Sequence, residues 1–193
     1  MKILVVADTH GELQPHQLPQ ETLFIKPDGI FLLGDVFIND IELLKQFYPT
    51  VSILGVGGNH DKWDLLKSAN VQDIHGRVIR WNGLYIAGFG GAYKCLDKDE
   101  YMMHSQKEAM EQLSSMPSCD ILLTHDQSCL RAIPAEGQID GDSKTGLIGI
   151  TEYIDKNQPK LHLHGHTHEA GTDWRNMTCI RSFYGVELID LEL

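Results

Sequence analysis

The stretch LHLHGHTH, residues 161–168, places a histidine at every second position. Were it extended throughout, His162, His164, His166 and His168 would share one face, because side chains alternate along a strand. Related residue types recur in short blocks elsewhere: Asp8-x-His10, Gly34-Asp35, Gly58-Asn59-His60-Asp61, His125 and Gly165-His166-x-His168. Imidazole nitrogens, carboxylates and an amide oxygen are ligands for borderline divalent ions such as Mn, Fe, Zn, Ni or Co. Seven ligand-type side chains besides His60 exceed the needs of one ion and fit two if a carboxylate bridges. Two ions roughly 3.5–4 Å apart form a clamp for in-line displacement at phosphorus. None of the blocks carries a thiolate, which argues against a structural zinc site.

Chemistry of this kind needs elements that bring distant blocks together. Five aliphatic runs each end on one of them: ILVVAD at Asp8, GIFLLGD at Asp35, VSILGVGGNHD at Asn59 and His60, DILLTH at His125, and KLHLHGHTH at His166 and His168. Such runs suggest strands buried on both faces of α/β sheets. Ligands in open α/β sheets collect beyond the carboxyl ends of strands, so the five positions are expected to converge in one crevice. Helical patterns fall between them: IELLKQFY, DKWDLLKSA, HSQKEAMEQLSSM before Pro117, and LIGITEYIDK after Gly146. RVIRWNGLYIAGFGGAY reads as two strands joined at Asn82–Gly83, a hairpin dipeptide. MTCIRSFYGVELIDLEL reads as a second hairpin, turning near Tyr184–Gly185. The hairpins suggest a second sheet packed on the first with helices outside, in a single domain over residues 1–193.

Composition narrows the function. The chain has 27 acidic and 16 basic residues and a formal charge of -11, which disfavours non-specific nucleic-acid binding. A small phosphorylated substrate remains compatible if positive charge is concentrated at the site. Cys95, Cys119, Cys129 and Cys179 are widely spaced and form no C-x-x-C pair, so reduced thiols are expected. The apolar run at the N-terminus is too short for a signal peptide, and no stretch has membrane-spanning length. A cytoplasmic protein without membrane attachment is the expectation, and a homo-oligomer is compatible with the sequence.

The ordered blocks D-x-H, G-D, G-N-H-D, a single His after a strand, and G-H-x-H resemble the calcineurin-like metallophosphoesterase superfamily, in the style of its small, cap-less bacterial members. The resemblance spans residues 8–168. It implies an α/β (α+β) double β-sandwich flanked by helices in αββα layers. It also implies that Asp8, His10 and His168 hold one metal, that Asn59, His125 and His166 hold the other, and that Asp35 bridges them. Two divalent transition-metal ions, Mn favoured, would bind a bridging hydroxide that attacks phosphorus in line. His60 would assist the leaving group or donate a hydrogen bond to the phosphoryl group. Two divalent cations, less two carboxylates and a hydroxide, leave a positive site that attracts a phosphodiester to an acidic protein.

Other residues receive plainer readings. His162 and His164 lie within the strand, with His164 the one that could orient a ligand imidazole. His16, His75 and His104 sit in polar or helical contexts and are expected to face solvent. Asp61 either orients His60 or interacts with a helix dipole. GVGG (55–58) and GFGG (88–91) fit neither phosphate-loop motif and read as tight turns. In DGDSKTG (140–146), Ser143, Lys144 or Thr145 could touch substrate, or Thr145 could cap the next helix; Arg131 could bind phosphate. GDVFIND lacks the Asp-Arg-Gly of phosphoprotein phosphatases, which argues against that role. The length leaves no room for the extra domains of the large nucleases and nucleotidases. The leading reading is a metal-dependent phosphodiesterase acting on a small molecule. Its alternatives are a phosphomonoesterase on a small phosphate ester and, from another class, a non-catalytic binding scaffold of the same fold, such as the retromer subunit that resembles metallophosphoesterases.

Overall fold

A computed structural model describes residues 1–94, 101–129 and 145–191. Among these residues the first half runs β1 (Lys2–Ala7), β2 (Gly29–Leu33), α1 (Ile38–Phe47), β3 (Ile53–Val56), α2 (Leu65–Ser68), β4 (Gln72–Asp73), β5 (Arg77–Trp81) and β6 (Leu84–Phe89). The second half continues with β7 (Ala92–Tyr93), β8 (Met103–His104), α3 (Gln106–Ser115), β9 (Ile121–Thr124), α4 (Ile148–Asn157), β10 (Leu161–His164), β11 (Gly171–Arg175), β12 (Thr178–Ser182) and β13 (Gly185–Asp190).

Two large sheets form, ordered β13-β1-β2-β3-β4 and β11-β12-β10-β9-β6-β5. Their inner strands are parallel, and the antiparallel pairs β13–β1, β5–β6 and β11–β12 lie toward the edges. Alternate residues of each strand serve different layers. Ile3, Val5, Phe31 and Leu33 meet Ile121, Leu123 and Leu163 between the sheets. Leu4, Val6, Ile30 and Leu32 face outward against Ile41 and Leu44 of α1. On the far side Ala87, Phe89 and Leu122 pack on Leu113 of α3 and Ile150 and Ile154 of α4. Strands clothed on both faces explain the unbroken aliphatic runs, and the αββα layering matches the expected fold.

The Asn82–Gly83 turn joins β5 to β6 with φ of 45° and 86°, the double positive φ that suits the twist of a tight hairpin. Ser105 caps α3 through a reciprocal bond with Glu108. Elsewhere the structure corrects the sequence reading. The C-terminal segment is no hairpin, because β12 lies in one sheet and β13 in the other. Buried Phe183 enters the inter-sheet core and Gly185, at φ +83°, redirects the chain. The antiparallel partner of β12 is β11, GTDWR, a largely exposed edge strand with no apolar run to announce it.

The helix expected from Asp61 is confined to Leu65–Ser68. Asp61 is committed elsewhere, and Lys62 forms a bridge with Tyr101. Thr145 caps no helix: α4 begins at Ile148, whose N–H is accepted by Gln106 Oε1 at 2.8 Å, a cap supplied from α3. Arg131, Ser143, Lys144 and Cys95 lie outside the described residues, while Cys119, Cys129 and Cys179 form no disulfide with one another. No helix among the described residues is long and apolar enough to cross a membrane.

His75 and His104 are not solvent-facing, although His16 is exposed. Their rings stack 5.5 Å apart, with Trp63 edge-on to both. Gly90 N–H donates to His75 Nδ1 (2.9 Å) and His104 Nε2 donates to Gly90 O (3.0 Å), so the pair clamps one residue of the GFGG turn. Burial lowers both imidazoles to about 4, helped by Arg77 beside His75 and by His75 beside His104, against opposing hydrogen bonds of His75 with Gln112 and of His104 with Gly90 and a smaller pull from Glu108. Both stay neutral when folded, whereas the unfolded chain takes up their protons below the ordinary 6.5. Their stability contribution is therefore intact above 6.5 and lost as pH falls toward 4. The metal-free protein is expected to lose about 2 kcal/mol per imidazole between pH 7 and 5. The change in urea midpoint between the two pH values should be smaller in His75→Gln and in His104→Gln than in the wild type. This comparison removes the oppositely signed contributions of Asp8 and Asp61, and equal changes would contradict the expectation.

Candidate metal centre

Each candidate donor sits just beyond a strand end. Asp8 follows β1, Asp35 follows β2, Asn59 and His60 follow β3, His125 follows β9, and His166 and His168 follow β10. Asp8, His10, Asp35, His166 and His168 have φ of 53°, 49°, 53°, 67° and 56°. Non-glycine residues held in that region cost roughly 1–3 kcal/mol each and persist only where the surroundings over-determine them.

The surroundings here are three buried carboxylates. Asp40 accepts from Thr9 Oγ1 (2.6 Å), Gly11 N–H (2.8 Å) and Leu13 N–H (3.0 Å), pinning the Asp8–His10 turn to α1. Asp61 Oδ2 accepts from Asp35 N–H (2.9 Å) and Gly58 N–H (2.7 Å), tying the second block to the third. Neither reading of Asp61 as an orienter of His60 or a helix-dipole partner holds. Asp126 accepts from Tyr93 N–H (2.9 Å) and Gln127 N–H (2.8 Å), and its Oδ1 lies 4.0 Å from His166 Nε2. Sequence reasoning missed the parts of Asp40 and Asp126. Their only signal was an acidic residue beside a helix start or a ligand block, a common and unspecific pattern. Gly34, at φ +91°, has to be glycine, since a Cβ there would collide with His125 Nδ1 and the Gly58 backbone.

The donors converge from both sheets. His166 N–H donates to Asp8 Oδ2 at 2.8 Å, and His125 Nδ1 meets Leu33 O at 2.8 Å, so each contact crosses between the sheets. The ligand atoms of Asp8, His10 and His168 lie within 4.8 Å of one another, as do those of Asp8, Asp35 and His125. The His166 ring centroid is 4.9 Å from that of His125. His60 stands at the mouth, its side chain 61% exposed and its Nε2 4.0 Å from Asp35 Oδ2. All eight residues singled out in the sequence therefore meet in one crevice, and Asp8 belongs to both donor groups.

The hydrogen bonds of the donors themselves decide whether a cation fits. Burial lowers His125 to about 4, so its ring carries one proton at neutral pH. That proton goes to Leu33 O, leaving an Nε2 lone pair 2.8 Å from Asn59 Oδ1 and 3.5 Å from Asp35 Oδ2. The other tautomer would set Nδ1 against the Leu33 carbonyl, so either choice leaves two acceptors face to face. Asp8 Oδ1 is buried with no hydrogen-bond partner, 3.6 Å from His168 Nε2, which itself lies 3.2 Å from His10 Nε2. Burial, reinforced by the Asp35 charge, raises Asp8 to about 8, and the same causes raise Asp61 to about 7. Crowded carboxylates and opposed lone pairs are what divalent ions relieve, so these residues fit metal ions.

His162 and His164 stay outside this set. Thr124 Oγ1 donates to Asp126 O and so accepts from His162 Nε2 at 2.7 Å, leaving His162 Nδ1 buried without a partner. His164 Nδ1 donates to Gly165 O at 3.0 Å rather than to a ligand imidazole.

Solved structures share the fold of two helix-covered sheets. TT1561 of Thermus thermophilus aligns with a TM-score of 0.65 and 17% identity, covering 95% of this chain and 89% of that one. Phosphopantetheinyl hydrolase (PptH) from Mycobacterium tuberculosis gives 0.60 and 11%, with the same coverages of 95% and 89%. A novel archaeal phosphodiesterase gives 0.53 and 15% over 98% and 93%. At these identities the likeness concerns the fold. The chain itself belongs to the calcineurin-like phosphoesterase superfamily, whose domain profile matches residues 1–182. The UPF0046 protein K07C11.7 of Caenorhabditis elegans is 23% identical over 88% of this chain, which spans 64% of that protein's length. The superfamily uses divalent metal ions for phosphoester hydrolysis, in keeping with the donor groups found here.

Proposed function

We propose that this protein is a two-metal phosphodiesterase acting on a small diester. The observation that carries the reading is the pair of adjoining donor groups, in which Asp8 Oδ1 is buried without a hydrogen-bond partner and His125 Nε2 lies 2.8 Å from Asn59 Oδ1. Asp8, His10 and His168 would hold one ion, Asn59, His125 and His166 the other, and Asp35 would serve both. His166, with Nε2 turned toward Asp126, would offer Nδ1. Bound divalent ions, Mn favoured, would supply Lewis-acid polarisation of the phosphoryl group and an activated water as nucleophile. His125 contributes a lone pair aimed by the Leu33 carbonyl, and His60 at the mouth, with Nε2 4.0 Å from Asp35 Oδ2, would assist a departing alkoxide.

The diester reading is supported by the described lining of the clefts at His10 and at His164, which carries no Lys or Arg, while Arg131 and Lys144 lie outside the described residues. A monoester dianion would gain from such a cation more than a monoanionic diester does. The test is hydrolysis by metal-stripped protein reconstituted with Mn²⁺. Bis-(p-nitrophenyl) phosphate is expected to be turned over several-fold faster than p-nitrophenyl phosphate. The opposite ranking would favour a phosphomonoesterase, and two bound ions without turnover of either ester would point to a binding scaffold. A cytoplasmic location and action on a free small molecule belong to the same proposal.

A further inference from the structure

A cleft of ≈ 660 Å³ opens directly on the donor group of Asp8 and His10 and extends to Tyr184 and Val186. That is a volume ordinary for a small-molecule site. The Tyr184 ring stacks on the His168 imidazole, with centroids 4.9 Å apart and planes at 22°. The stack covers one face of the ring, yet Tyr184 is 56% exposed and lines the cleft. Its backbone is held on both sides: Phe183 N–H donates to His164 O at 2.8 Å, and β13 begins pairing with β1 at Gly185. An aromatic face fixed in advance beside a reacting centre binds a flat partner with little ordering cost.

The rest of the cleft is consistent with such a partner. Leu13 and Val186 give it apolar wall, and Glu12 and Gln17 add hydrogen-bonding groups. It has no cationic side chain among the described residues to receive a second phosphate, and Glu12 and the net charge of -11 oppose an anionic arm.

We infer that this cleft receives a flat, uncharged aromatic ring carried on one arm of the phosphodiester, a nucleobase or an aryl group, stacked on the open face of Tyr184. The inference rests on the phosphodiesterase reading for the position of the phosphate. Tyr184 is then the residue that sets substrate preference.

Three p-nitrophenyl diesters with the same leaving group test this on the Mn²⁺-loaded protein, their second arm being ethyl, phenyl or thymidine 5′. The aromatic arms are expected to raise kcat/KM roughly tenfold over ethyl, mainly through KM, the size of one stacking contact. Tyr184→Ala should bring the ratio close to one, and Tyr184→Phe should keep it. Equal gains for phenyl and thymidine would assign any aromatic ring, and a gain for thymidine alone would assign a nucleoside. A wild-type ratio near one, or a ratio unchanged in Tyr184→Ala, would overturn the inference. Equal loss on all three esters with reduced metal content would also overturn it, showing Tyr184 as a mere support for His168. Equilibrium binding of thymidine 5′-phosphate against ethyl phosphate reads the cleft without turnover. If no ester is hydrolysed but that preference exists and is lost in Tyr184→Ala, the hydrolase reading falls and the cleft stands. Hydrolysis without any arm preference sinks the cleft alone.

Discussion

Asp35→Asn is expected to lower activity by at least roughly 10²–10³-fold, the scale of losing one preorganised charge-stabilising group, and to weaken both metals together. The carboxylate faces two ways. Its Oδ1 accepts His60 N–H at 2.9 Å, and its Oδ2 lies 3.5 Å from His125 Nε2 and 4.0 Å from His60 Nε2. Asparagine can keep the first contact with its carbonyl oxygen. It would then present an amide NH₂ where the second oxygen stood, offering protons to a place that calls for a cation. The fold should not suffer. Asp35 lies beside Asp8 and Asp61 and adds to their raised values, while asparagine keeps the bond to His60 N–H, so the metal-free variant should stay near wild-type stability. Thermal melts with and without Mn²⁺ read this out, since ligand binding to the folded state raises its stability. The wild type should gain a higher midpoint with metal and the variant little. Two ions bound by Asp35→Asn with undiminished affinity would refute the shared carboxylate.

His60→Ala should act on turnover alone. The backbone N–H that anchors this residue to Asp35 survives the change, and the side chain removed is mostly exposed, so metal content and stability should stay near those of the wild type. The expected loss is roughly 10²–10⁴-fold in kcat for esters of alkyl alcohols, whose alkoxide needs a proton as it leaves. For p-nitrophenyl esters the leaving group is stable as an anion, and the loss should be much smaller. A uniform loss across both kinds of ester would make His60 a donor to the phosphoryl group. Unchanged turnover on alkyl esters would remove it from the chemistry.

Much of the fold was legible because strands clothed on both faces leave a local trace. The runs ending at Asp8, Asp35, His125 and His166 are β1, β2, β9 and β10, and the Asn82–Gly83 turn stands where its dipeptide placed it. Misreadings occurred where the deciding partner was remote. Phe183 and Gly185 look like a hairpin turn until it is known that Phe183 belongs to a core shared with β2 and β9. β11 carries almost no apolar residue because it covers an edge and little else. His75 and His104 read as polar surface residues, yet each is needed to bond one backbone atom of Gly90 from elements far apart in the chain.

The sequence by itself determined the kinds of donor, their order, and the strands that each would follow, because these depend on residue type and short-range periodicity. It pointed equally to the metal chemistry, since imidazole, carboxylate and amide together suit few other tasks. Only the tertiary structure decided which lone pairs face each other, which carboxylates burial pushes up, and which turns bear positive φ. The cleft at Tyr184 likewise arises from a crossover between sheets that local pattern misrepresented. The reason is one of distance along the chain: His10 and His168 are 158 positions apart and meet at 3.2 Å only after both sheets have formed. No local pattern encodes a contact that two packed sheets must first create.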